Sequence, residues 1–213
     1  MLIVGAKGFA KEVLEVLHQS NDLDNLVFFD DVNNDLPKLL YNKFSVLNSL
    51  EEAKFFFETR EPRFTIGIGN PKLRESLAIK FIQLGGKFTS TISPKADIGH
   101  YGNEIGTGCN IMFGTILTND IKVSDGVLIN LNCTIGHDCI IGRYVEMSPG
   151  VHVSGNCQIG DYCQIGTNAA ILPKVKIGNN VTIGAGAVVT QDIPDNCVAV
   201  GVPAKVIKIK ENE

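Results

Sequence analysis

Residues 151–186 read "VHVSGNCQIGDYCQIGTNAAILPKVKIGNNVTIGAG", and an apolar side chain returns at every sixth position: Val153, Ile159, Ile165, Ile171, Ile177 and Ile183. The step extends in both directions. From Ile105 through Ile111, Leu117, Val123, Ile129, Ile135, Ile141 and Met147 to Val189, fifteen positions in register are apolar without a break. Ile92 and Ile98 continue the series upstream after a one-residue slip. Four positions after each apolar residue the side chain is usually small or β-branched, as at Cys109, Thr115, Val127, Cys133, Val145, Ala169 and Ala187. Period six is neither the 3.6 of a helix nor the 2 of a strand. It marks a hexapeptide parallel β-helix, in which each hexad is one short strand and a turn. Three hexads close a coil of eighteen residues, and stacked coils bury the apolar column.

This frame disposes of the cysteines. Five of six occupy the small position of a hexad, and Cys197 lies beyond the last repeat. In that slot a thiol behaves as a small buried hydrophobe. Metal ligation by Cys133 and Cys139 is the lesser reading, because zinc needs several ligands converging on one point.

The bulk composition narrows the partners. A net charge of −4 with no long basic run argues against nucleic acid. No apolar run approaches the ~20 residues of a membrane helix. The opening "MLIVGAKG" lacks the charged region of a signal peptide, so a cytoplasmic chain with reduced thiols is expected.

Residues 1–91 read differently from 92–213, which predicts two domains. "LIV" at 2–4 is a buried-strand signal, followed by the glycine turn and helical pattern of "GAKGFAKEVLEVL". A second strand, "LVFFDD", ends in Asp30 and Asp31, and a helix capped by Asn48 runs through "SLEEAKFFFETR". "RFTIGIGN" is a third strand, and "PKLRESLAIKFIQLG" a helix with proline at its first position. Alternating strands and helices predict a small α/β unit with a parallel sheet. A glycine turn from strand to helix places backbone N–H groups where phosphates bind. GxxGxA is only a fragment of the dinucleotide fingerprint, and about ninety residues supply half of a two-mononucleotide fold. A nucleotide-sugar diphosphate fits the smaller site better; a turn that serves strand–helix packing alone is the competing reading.

Within the repeat one turn carries chemistry. In "IGHDCI", Ile135 is the inward residue and Cys139 the small one, which leaves His137 and Asp138 in the turn. Histidine is the residue type suited to proton transfer near neutral pH. One coil further, eighteen residues on, stands Gly155, whose backbone N–H a substrate can approach closely. A base with a backbone donor one rung (~4.8 Å) away suits acyl transfer. Zinc hydration is disfavoured, since His152 is fifteen residues from His137 and on another face, and His100 is the only other histidine in or near the repeat.

An α/β stretch with "GAKGFAKE", "FFDD" and "IGIGNPKLR", then "NLNCTIGHDCIIG", "SGNCQIG" and "GVPAK", resembles the sialic acid O-acetyltransferase / UDP-4-amino-sugar N-acetyltransferase family of the hexapeptide acyltransferases. The resemblance implies a small Rossmann-like domain followed by a left-handed parallel β-helix, and a cytoplasmic homotrimer with active sites between subunits. It implies acetyl-CoA as donor, no metal, and a nucleotide sugar on the first domain. On that match His137 is the general base, Asp138 its carboxylate partner, Asn130 an active-site neighbour and Gly155 the oxyanion donor. Lys7, Gly8, Phe9, Asp30, Asp31, Gly69 and Lys72 would meet the nucleotide sugar. Glu146, Thr167, Ala185 and Lys205 would line the acetyl-CoA path. Phe9 and Glu146 depart from the family, many of whose members carry histidine at the first position and some at the second. The expected reaction is N-acetylation of a UDP- or dTDP-linked 4-amino-deoxysugar. O-acetylation of a sialic acid or another sugar is the alternative, and a non-enzymatic trimeric scaffold the outlying one.

Overall fold

Each hexad forms a two-residue strand, and strands eighteen residues apart pair in parallel, so that Thr134 lies against His152 and Ile135 against Val153. The structure, a computed structural model, describes residues 1–33 and 35–210. The chain divides into two compact units, Met1–Ser93 and the remainder from Pro94.

The second unit is a left-handed β-helix with three flat faces. One face stacks Asp97–Ile98, Ile116–Leu117, Thr134–Ile135, His152–Val153, Ala170–Ile171 and Val188–Val189. The next stacks strands from Glu104–Ile105 to Lys176–Ile177, and the third those from Asn110–Ile111 to Thr182–Ile183. Cys197–Val200 closes the third face and pairs antiparallel with the terminal strand Lys205–Ile209. Inside, the inward apolar residues and the small residues four positions later form one continuous core. Each such aliphatic contributes about 1.5–3 kcal/mol on burial, against about 0.5–1.5 kcal/mol net for a corner hydrogen bond. The core therefore dominates stability and the corners set geometry.

Two periodic devices build those corners. Every sixth residue from Gly102 to Gly186 has positive φ, a conformation taken by Gly, Asn or Asp at most of these positions. The second device is the small hexad position itself. Cys109, Cys133, Cys139, Cys157 and Cys163 donate S–H to the carbonyls of Ser124, Ser148, Ser154, Leu172 and Gly178, at 2.9–3.3 Å, and Thr115 donates to Asn130 at 2.9 Å. All six cysteines are free and buried. Burial pushes the Cys133 thiol up to about 11 and the Cys163 thiol to about 12. Cys133 and Cys163 are thus packing residues, poor as nucleophiles.

The first unit is a three-layer α/β fold. Its strands are β1 (Leu2–Val4), β2 (Val27–Phe29), β3 (Leu39–Leu40), β4 (Phe44–Leu47), β5 (Arg63–Ile66) and β6 (Lys87–Phe88); its helices are α1 (Gly8–Gln19), α2 (Leu50–Thr59) and α3 (Pro71–Gln83). The sheet order is β3-β4-β2-β1-β5-β6, parallel except for β3. Adjacent residues point to opposite faces. Ile3 and Phe28 pack with Ala10, Val13 and Leu17 of α1. Phe29 instead meets Phe81 of α3, whose ring also faces Phe57 of α2 and Phe64. Helix α1 approaches the end of β5 closely, because a Cβ on Gly67 would lie 2.6 Å from the Ala10 Cα.

Three boundaries differ from the sequence reading. Asp30 and Asp31 lie just past β2 rather than within it. Helix α2 is capped by Ser49, whose Oγ accepts from Glu52 N at 3.2 Å; Asn48 instead donates its own N–H to the Glu52 carboxylate at 2.9 Å. This is a variant of the reciprocal serine–glutamate cap, which a single cap-forming residue type did not disclose. The β3–β4 hairpin was not expected: its first strand has two residues, and its turn, Tyr41–Asn42 at positive φ, lacks the usual Asn-Gly signature.

Candidate active site

The turn from Gly136 to Cys139 joins the strands Thr134–Ile135 and Ile140–Ile141 at one corner of the β-helix. Asp138 takes the periodic positive-φ position, φ +59°, and its N–H donates to Asn119 O one coil below. That conformation brings the carboxylate back to its neighbour. His137 Nδ1 and Asp138 Oδ2 are 2.6 Å apart, with both side chains more than half exposed. A carboxylate accepts only, so the proton sits on Nδ1 and the Nε2 lone pair is left open. Nε2 lies over Gly155: a Cβ built there would be 2.6 Å from Nε2 and 2.8 Å from Cε1. Only glycine leaves room for the ring in this position.

The backbone of this corner differs from that of the corner that follows it in each coil. At the corner following the Glu104–Ile105 stack, an Asp or Asn side chain one coil up caps the N–H below. Thus Thr107 N donates to Asp125, Arg143 N to Asp161, Asp161 N to Asn179 and Asn179 N to Asp195, at 2.7–2.9 Å. At the His137 corner the residue above is Gly155, and above that Pro173, neither with a side-chain acceptor. Among the described residues the Gly155 N–H has no acceptor. An open base nitrogen and an uncapped backbone donor therefore stand one rung apart, beside solvent.

The other expected residues of this unit fall in separate places. Asn130 precedes the previous corner, where its Oδ1 accepts from Leu131 N at 2.7 Å. Thr167 and Ala185 are exposed and stack one coil apart at a single corner, where Gly186 N donates to Thr167 O at 2.8 Å. Glu146 lies on a flat face and accepts from Gln164 Nε2 at 3.1 Å. Lys205 opens the terminal strand opposite Val200. His152 bonds Thr134 Oγ1 at 2.9 Å, away from the His137 turn. Among the described residues no group of three or more His, Cys, Asp or Glu is placed to hold a metal.

In the first unit, Lys7, Gly8, Phe9, Asp30, Asp31, Gly69 and Lys72 all follow the carboxyl ends of β1, β2 and β5, or open the helices after them. Here β1 is central and the chain order reverses around it, the place where open α/β sheets bind ligands. Phe9 is partly buried against the α1 core. Lys7 pairs with Asp35 at 2.9 Å, and Asp31 with Lys80 at 3.6 Å. Asp30 is occupied by its own loop, accepting from Val32 N, Asn33 N and Asn33 Nδ2 at 2.9–3.2 Å. It shapes a groove of about 210 Å³ lined by Asp31, Asn33, Lys38 and Asn48. Sequence reasoning did not single out Pro173, although a proline eighteen residues after Gly155 was a readable sign of a missing cap.

A β-helix of hexapeptide repeats with a histidine–carboxylate turn defines the class of hexapeptide acyltransferases. Residues 156–191 match the family described as bacterial transferase hexapeptide, and residues 1–81 match the PglD N-terminal domain. No curated protein sequence matches significantly. Among solved structures, the acetyltransferase domain of PglB from Neisseria gonorrhoeae, bound to acetyl coenzyme A, is 32% identical over 97% of this chain and 98% of that one, with a TM-score of 0.86. WeeI from Acinetobacter baumannii gives the same identity, coverage and TM-score. A histidine-to-asparagine variant of perosamine N-acetyltransferase from Caulobacter crescentus, complexed with CoA and GDP-perosamine, is 28% identical over 97% and 96%, with a TM-score of 0.88. The chain belongs to the PglD-like family of acetyl-CoA-dependent sugar N-acetyltransferases within the hexapeptide acyltransferases.

Proposed function

We propose that the chain transfers acetyl from acetyl-CoA to the 4-amino group of a UDP- or dTDP-linked deoxysugar, with His137 as general base. The observation that carries this reading is the open Nε2 of His137 beside the uncapped N–H of Gly155. The sugar amine attacks the thioester carbonyl, and His137 Nε2 takes the proton that the amine loses. Charge develops on the carbonyl oxygen, where the Gly155 N–H donates. The tetrahedral species collapses with loss of CoA thiolate, which takes up a proton as the amide forms. Asp138 holds the imidazole tautomer, and Asn130 supports the neighbouring corner.

Lys7, Gly8, Phe9, Asp30, Asp31, Gly69 and Lys72 hold the nucleotide sugar, and Asp30 also orders its own loop. Acetyl-CoA runs past Glu146, Thr167 and Ala185 toward Lys205. The perosamine enzyme's ligand is a GDP sugar, so the decisive assay offers acetyl-CoA with UDP-, dTDP- and GDP-linked 4-amino sugars and reads free thiol release. Turnover of a UDP or dTDP amino sugar is expected. Turnover of a sialic acid with none of the amino sugars would replace N- by O-acetylation.

The working form is a homotrimer with active sites at subunit interfaces. Exposed Ile140 and Ile116, 46% and 41% accessible on faces adjoining the His137 corner, support it. Light scattering should return three times the 23.0 kDa of one chain; a monomer would sink the assembly. Among the described residues no helix is long and apolar enough to cross a membrane.

A further inference from the structure

We propose that Arg74 is a positioning residue for the diphosphate of the nucleotide sugar, acting through the Gly69–Asn70 peptide. The inference rests on the reading of the first unit as the nucleotide-sugar domain. Arg74 stands in the first turn of α3 and is 1% exposed, the largest fully buried side chain among the described residues. Arginine keeps its charge, and burying that charge is costly unless its N–H groups are bonded. One of those bonds is Arg74 Nη1 to Gly69 O, in the loop that follows β5 at the edge where the chain order reverses.

A trans peptide is planar, so its C=O and N–H point in opposite directions. With the Gly69 carbonyl drawn inward to Arg74, the N–H of Asn70 in the same peptide faces away from the core. Asn70 is exposed, and among the described residues its N–H has no acceptor. Its side chain is already used, accepting from Leu73 N at 3.0 Å to cap α3. Lys72 follows within the first turn, exposed on the same helix. The buried guanidinium thus sets the orientation of a backbone donor two residues before a second cation, Lys72 in the first turn of α3, an arrangement suited to phosphate oxygens.

The test measures acetyl transfer while the nucleotide sugar and acetyl-CoA are varied separately. Arg74→Met is expected to raise the KM for the nucleotide sugar about tenfold, the worth of one hydrogen bond to a charged group. The KM for acetyl-CoA should stay within about twofold, and Arg74→Lys should recover part of the loss. A second pair of variants does not depend on Arg74→Met folding. Asn70 has φ −57° and ψ 123°, which proline adopts without strain. Asn70→Ala removes the helix cap and keeps the N–H, whereas Asn70→Pro removes both. Asn70→Pro should therefore show a nucleotide-sugar KM about tenfold above that of Asn70→Ala. Equal KM values for this pair, in an enzyme that saturates with the nucleotide sugar, overturn the inference alone. Failure of the unaltered enzyme to use any nucleotide sugar overturns the reading beneath it as well.

Discussion

Replacing His137 with alanine is expected to lower kcat by about 100- to 10,000-fold, the range of a positioned general base. KM for both substrates should change little, because the lost interaction is made only as the proton moves. The fold should survive, since His137 lies in an exposed turn and contributes nothing to the core. The His137 corner is held by Asp138 N to Asn119 O and by Asn156 N to His137 O at 2.8 Å, all backbone groups that alanine keeps. An unchanged kcat would remove His137 from the mechanism. A general fall in thermal stability of the same size as the loss in rate would reduce it to a structural role.

Gly155→Ala should be nearly as damaging to kcat, for a different reason. The new methyl would fall 2.6 Å from His137 Nε2 and 3.0 Å from Cδ2, closer than carbon and nitrogen approach. The φ of Gly155 lies outside the left-handed region, so the backbone accepts alanine and the clash is confined to the ring. The imidazole must swing out, which breaks its 2.6 Å bond to Asp138 and carries Nε2 away from the Gly155 N–H. A loss of at least about 100-fold is expected, comparable to removing a base or an oxyanion donor. The double variant tells this account from independent damage. If Gly155→Ala acts through the ring, adding it to His137→Ala should cost little more than His137→Ala alone. Multiplicative losses would show that the methyl blocks the acyl group itself.

Much of the β-helix was legible because its tertiary contacts lie at a fixed offset along the chain. A coil of eighteen residues places Thr134 beside His152 and His137 beside Gly155, so counting substitutes for folding. The boundary residues of the first unit were harder. Ser49 and Glu52 share the α2 cap with Asn48, and the Leu39–Leu40 strand is too short to show alternation. Nor did the sequence disclose that Asn33 donates to the Asp30 carboxylate from its own loop.

By itself, then, the sequence determined the repeat, the inward column, the fate of the cysteines and the pairing of a histidine turn with a glycine one coil on. Each follows from periodic backbone geometry, in which neighbours in space are neighbours in count. Only the tertiary structure decided that Nε2 is the open nitrogen, that the Gly155 N–H lacks a cap, and that Arg74 is buried against the Gly69 carbonyl. Those facts depend on where side chains and individual peptide groups point. In an α/β unit without a repeat, no offset along the chain encodes that direction.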